Sequence, residues 1–238
     1  MFTKNLNLIA ALSVTAFMSA GAAQAADTDF NKKELNGRTS YIGVSMLQSD
    51  IAPVNFHGAK RDFTDGTRAQ NQVGFEDGDG YLVTLGNDYG YVRLETEFGY
   101  HDSNVNKIQT GTRPSGAIDI GTAMVNLAFE YSVDPSELAE EAPSGFSITP
   151  FVQVGGGAFG VLGNLNYGEV GGNGELYGVD NGFFIAPAIQ GAAGLTVGLP
   201  YGAEVFAQYS EMLAYTYSYR GSDDIHLKQV SGGIRLNF

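Results

Sequence analysis

The chain has 238 residues, a formal net charge of −13, 33 glycines and no cysteine. That charge excludes a phosphate-tracking nucleic-acid surface, and the missing cysteine excludes disulfides, thiolate metal sites and a cysteine nucleophile. Aromatic residues at 12% and charged residues at only 16% exclude a disordered acidic chain.

Residues 1–25, MFTKNLNLIAALSVTAFMSAGAAQA, place Lys4 before an apolar stretch from Leu8 to about Met18. They end on Ala23-Gln24-Ala25, the small-x-small pattern of a secretory signal cleaved after Ala25. The apolar core is short for an uncleaved anchor, which needs about 20 residues. Residues 26–38 read as a polar periplasmic tail. No later stretch approaches the roughly 18 apolar residues of a membrane helix. An exported soluble protein and an outer-membrane barrel remain.

From residue 39 onward, period-two alternation predicts eight strands separated by Gly, Asn, Asp and Pro. The first, about 39–47, sets Ile42, Val44 and Met46 against Tyr41, Gly43 and Ser45. The second, about 79–87, sets Tyr81, Val83 and Leu85 against Leu82, Thr84 and Gly86. The third lies in GYVRLETEFGYHD, residues 90–102, where Val92, Leu94, Thr96, Phe98 and Tyr100 alternate with Arg93, Glu95 and Glu97. The fourth, about 120–132, opposes Val125, Leu127, Phe129 and Tyr131 to Met124, Asn126, Ala128 and Glu130.

The fifth, about 148–160, opposes Ile148, Val152 and Val154 to Phe151 and Gln153; the sixth, about 183–199, opposes Ile185, Ile189 and Leu195 to Ala186, Gln190 and Thr196. The seventh, about 203–217, sets Val205, Tyr209, Tyr215 and Tyr217 against Glu204, Phe206 and Gln208. Glu211 falls on its apolar face, which requires either a bulge or a strand end beyond lipid. The eighth, about 226–238, sets Val230, Ile234, Leu236 and Phe238 against Gln229, Ser231, Arg235 and Asn237.

Most segments reach ten residues, twice the usual soluble strand of about 5–6 and close to the roughly 9–11 that cross a bilayer at a tilt. With the amino terminus inside, the long connections at about 48–78, 103–119 and 161–182 fall outside. Asn87-Asp88-Tyr89-Gly90 and Leu199-Pro200-Tyr201-Gly202 make tight inner turns. The long inner connection at 133–147 and the short outer one at 218–225 break this asymmetry.

The carboxyl end, QVSGGIRLNF, stops on Phe238 with Val230, Ile234 and Leu236 on the same face. It resembles the closing strand that the outer-membrane assembly machinery recognises. With VRLETEFGY, TAMVNLAFEY and ITPFVQVGGGAFG, in order, residues 39–238 resemble the small eight-stranded outer-membrane family, of the OmpA/OmpX and opacity-antigen type. The resemblance implies an all-β, eight-stranded antiparallel up-and-down transmembrane barrel, monomeric, with no cofactor and no catalysis. Its expected partners are outer-membrane lipid and lipopolysaccharide, the assembly machinery, and host or cell-surface ligands at the loops.

In hydrocarbon every backbone polar group must be bonded internally, so the sheet closes and its polar face turns inward. Arg93, Glu95, Glu97, Glu130, Glu204 and Arg235 are therefore expected in the lumen of a barrel barely wide enough for side chains. The plain reading of these charges is a structural network; an ion-selective constriction is the functional rival. His57, His101 and His226 are expected in solvated loops, and His101-Asp102-Ser103 cannot form a triad among adjacent strand residues. Lipid A deacylases of the family place a His and a Ser two apart on one strand, a pattern not matched here.

Two acidic glycine stretches, Glu76–Gly80 and Gly171–Glu175, invite calcium, but neither completes a loop of calcium-binding spacing and both read as solvated loops. Lys60, Arg61 and Arg68 are a loop cluster diluted by Asp62 and Asp65. Tyrosines near strand ends suit an interfacial girdle. The rival functions are a narrow channel for small or apolar solutes and a soluble lipocalin-like carrier; the second requires polar outward faces.

Overall fold

A computed structural model of the chain describes residues 39–56, 71–108, 115–133, 146–166, 179–199, 202–216 and 224–238. The expected signal segment and tail lie outside the described residues, as do His57, Lys60, Arg61, Arg68, Gly171–Glu175 and Tyr217. Eight long strands form the wall: β1 (Thr39–Ile51), β4 (Gly78–Asp88), β5 (Val92–Ile108), β6 (Ser115–Glu130), β7 (Ser147–Asn166), β8 (Val179–Gly198), β9 (Ala203–Ala214) and β10 (Ile225–Asn237). Each pairs antiparallel with its chain neighbours in the wall, and β1 pairs with β10 to close it. The expected eight-stranded barrel is the fold.

Two short strands lie inside the expected first loop. β2 (Val54–Phe56) pairs with β3 (Asn71–Phe75), and β3 lies against the upper part of β5, shifting register at Gly74/Phe75. β5 runs six residues past the expected end, because polar outward residues there do not look like a membrane strand.

The pairing register measures the barrel. Passing from Asp79 on β4 through Gln48, Val230, Tyr209, Ala193, Val152 and Phe129, the row returns to β5 at Val92. The direct partner of Asp79 is Asp102, ten residues further along the same strand. Eight strands with that stagger tilt by roughly 40° and leave an interior that side chains fill.

Outward faces are apolar over the middle of the wall: Met46, Val125, Phe129, Val154, Ile185 and Val230 are all exposed. This excludes the soluble carrier, whose outer faces would be polar. Toward one end the pattern stops at a band of outward charges: Asp50, Lys228 and Glu211 in one row, Asp79, Asp102 and Asp119 in another. Register through Glu211 is unbroken on both sides, so there is no bulge there.

Beyond the band the sides exchange character. Asn104 and Asn106 face out, while Val105, Ile118 and Val161 are buried with Val54, Val73 and Phe75. The opposite end carries the short turns, where Gly90 takes φ 98° and Gly202 φ 75°. These are left-handed conformations that a side chain resists. The Gly90 amide donates to Asp88 Oδ1 at 2.6 Å and the Leu199 amide to the Ala203 carbonyl at 2.7 Å.

Glycines also set how closely the strands approach. A Cβ at Gly157 would stand 2.0 Å from the Ala123 carbonyl oxygen, and one at Gly233 2.1 Å from that of Val44; at Gly121 it would meet nothing. Gly157→Val and Gly233→Val should each cost about 3 kcal/mol by overpacking the wall, whereas Gly121→Val stays within about 0.5 kcal/mol. Urea midpoints of the refolded barrels check this order.

Candidate functional site

The inward positions sort into three layers. At the turn end, β5 presents Arg93 and Glu95, β6 Glu130, β9 Glu204 and β10 Arg235, because period-two alternation puts all five on inner faces. The Arg93 guanidinium donates from Nε to Glu95 Oε1 at 2.6 Å and from Nη1 to Glu130. Arg235 lies 3.5 Å from Glu95 and 3.9 Å from Glu204, and donates to Thr196 Oγ1 at 3.2 Å. The Tyr41 hydroxyl donates to the shared carboxylate of Glu95.

Aromatic faces stack these cations. Arg235 lies 4.1 Å over the Phe206 ring and Arg93 5.0 Å over Phe151, contacts that strengthen away from water. With Arg235 1% exposed and Glu95 2%, a single missing partner would leave a buried charge uncompensated. The layer is a stopper of two guanidiniums, three carboxylates and aromatic rings.

The middle layer is uncharged except for Glu97. Gln190 crosses the lumen from β8, donating from Nε2 to Glu97 Oε1 at 3.2 Å and to Asn126 Oδ1 at 2.9 Å. Gln153, Gln208, Gln229, Ser45, Ser210 and Ser231 share this zone, all buried, with the Ser210 hydroxyl donating to Gln229 Oε1 at 3.1 Å. The structure thus brings five of the six expected lumenal charges into one layer and leaves Glu97 in the next.

The loop-end layer is apolar. Ile51, Val105, Ile118, Ile120, Met124, Phe159, Val161, Met212, Ile225 and Leu227 form one buried cluster with the β2–β3 residues Val54, Val73 and Phe75. Ile51, Val54, Val73, Phe75, Val105, Ile118 and Val161 fall in segments expected as connections, and they join Ile120, Met124, Phe159, Met212 and Leu227 on inner faces of the expected strands, so alternation alone does not announce the cluster.

Four readings need correction. His101 is fully buried on the inner face of β5, with Nδ1 3.1 Å from Ser49 Oγ, because β5 continues past it. His226 is exposed on the outer face of β10. His101 and Ser103 do stand two apart on one strand, both buried, but the Ser103 hydroxyl donates to the Glu76 carbonyl at 2.5 Å rather than meeting the imidazole. Gly78–Gly80 belong to β4, not to a solvated loop: a Cβ at either glycine would stand 2.2 Å from a β5 carbonyl oxygen.

At the carboxyl end Val230, Ile234, Leu236 and Phe238 are all exposed to the outside. Tyr91 stacks on Tyr131 at 6.3 Å at the turn end, and Tyr81 lies 5.5 Å from Tyr100 below the charged band. Tyrosines therefore stand at both margins of the apolar zone, as interfacial side chains do.

No protein-family model matches the chain, and no curated protein matches it in sequence. Solved structures do. The chain is similar to Neisserial surface protein A, with a TM-score of 0.52 at 9% identity over 85% of this chain and 100% of that one. It is also similar to Ail, the attachment invasion locus protein of Yersinia pestis, at TM-score 0.43 and 12% identity over 85% and 99%. OprG, an outer membrane protein from Pseudomonas aeruginosa, matches at TM-score 0.45 and 13% identity over 85% and 96%. At 9% identity the likeness to Neisserial surface protein A bears on the fold alone, and it agrees with the small eight-stranded barrel described above.

Proposed function

We propose that this outer-membrane barrel is a structural, surface-exposed protein with a closed lumen and no catalytic role. One observation carries the reading: the interior is stoppered twice, by ion pairs and rings at the turn end and by an apolar cluster at the loop end. An apolar solute would have to cross the charged layer and an ion the apolar one, so neither form of the channel reading is favoured. The turn end is assigned to the periplasm and the loop end to the cell exterior, where the connections around β2–β3 and beyond β7 and β8 would meet host or cell-surface ligands.

Residues 1–25, with Ala23 and Ala25, would direct export. The outward Val230, Ile234, Leu236 and Phe238 would be read by the assembly machinery. Lipid and lipopolysaccharide would cover the apolar band. Against catalysis stands the Ser49–His101 pair, which is buried and has no carboxylate in contact with the imidazole among the described residues.

The test is conductance. Purified barrel, shown to be folded by faster gel migration before boiling than after, is added to a planar bilayer. The expected result is a silent membrane; stable ohmic channels at equal protein load would refute the closed lumen.

A further inference from the structure

We infer that the middle layer holds a bound alkali cation, with Glu97 as its charged ligand and the side-chain oxygens of Gln153 and Gln190 as neutral ones. The inference rests on the closed lumen proposed above.

The first ground is charge. Among the described residues inside the barrel, Arg93 and Arg235 face Glu95, Glu97, Glu130 and Glu204, and every ion pair goes to the three carboxylates other than Glu97. Glu97 is 3% exposed and accepts from the neutral amide of Gln190. A buried carboxylate without a cation is among the most costly arrangements a fold can hold.

The second ground is the unmet polar groups around it. Both amide atoms of Gln153, Gln190 Oε1, Asn126 Nδ2, and the hydroxyls of Ser45 and Ser231 are buried without hydrogen-bond partners. Register places these side chains around the wall at the height of Glu97. Gln153 and Asn126 are 2% and 0% exposed. Unpaired groups of this kind are rare in native interiors and call for a partner beyond the protein's own side chains. Trapped water would satisfy the surplus N–H groups and supply remaining oxygens, but water does not neutralise Glu97.

The donor set selects the ion. One carboxylate with neutral carbonyl and hydroxyl oxygens is the chemistry that replaces the shell of a monovalent ion. Calcium gathers several carboxylates, and magnesium holds most of its waters. Sodium or potassium fits a site of unit negative charge.

The experiment uses the folded barrel in detergent, exchanged into choline chloride and titrated with sodium chloride at constant ionic strength. Sodium-23 relaxation and the thermal midpoint are followed together. In the wild type the sodium line should broaden saturably, and the midpoint should rise by roughly 3–5 °C at tenfold saturation. Glu97→Gln should lose both effects, while Glu211→Gln, on the outer face, keeps them.

A wild-type barrel with no sodium- or potassium-specific response would overturn the site. So would an infrared band of a protonated carboxyl that persists in the wild type at saturating sodium and is absent from Glu97→Gln, since a neutral Glu97 needs no cation. Should Glu97→Gln fail to fold, the wild-type titration and Gln153→Met, expected to weaken sodium binding at least tenfold, decide the matter. A conducting barrel that still bound sodium would sink the closed lumen and leave the site standing.

Discussion

Arg93→Ala should lower barrel stability by about 3–5 kcal/mol, the usual cost of breaking a buried pair from one side. Arg93 is shared between Glu95 and Glu130 and covers the Phe151 ring. Its removal leaves two carboxylates, each under a tenth exposed, with Arg235 3.5 Å from Glu95 as the remaining nearby cation. The measurement is the urea midpoint of the fast-migrating gel form. Arg93→Ala combined with Glu130→Gln should recover part of the loss, because the second change removes one orphaned charge. A single variant as stable as the wild type would show that water reaches this layer freely.

Val125→Arg should cost about 2–4 kcal/mol in a bilayer, the range for a lipid-facing arginine near the midplane of a barrel. Val125 is 54% exposed, outward, and in register with Thr96 and Gly156 in the middle of the apolar band. The neighbouring strand already holds Arg93 one layer down, inside. The same residue type is thus tolerated or costly according to which side of the wall its strand position selects. Equilibrium folding into lipid vesicles measures the difference, and the penalty should shrink in detergent micelles, where water approaches the surface. Equal penalties in both media would mean that Val125 does not face the hydrocarbon.

Both expectations come from alternation, and alternation carried the sequence reading as far as the charged band. Arg93, Glu95 and Glu97 were legible because Val92, Leu94 and Phe98 between them could only face lipid. The terminal set ending at Phe238 was legible for the same reason. From Asp102 and Asp119 onward the outward residues turn polar, and the strand resembles a loop; His101, at that boundary, therefore reads as solvated, and β2 and β3 leave no lipid-facing pattern. The isolation of Glu97 was not legible at all. Its neighbour Gln190 lies 93 residues away on the far wall, and only closure of the barrel decides which carboxylates reach an arginine.

The closing pair has a consequence for how the chain is ordered. Ser40 and Phe238 exchange both backbone hydrogen bonds, at 3.2 and 2.8 Å. The wall is therefore a ring of eight strands in which each lies beside its predecessor, and the place where the polypeptide begins is one cut among several equivalent ones. Joining residue 238 to residue 39 through a short turn and opening the chain between β7 and β8 would preserve every strand partnership and the stagger of ten. What would change is which strand arrives last to shut the ring, and with it which outward face is available to be read before closure.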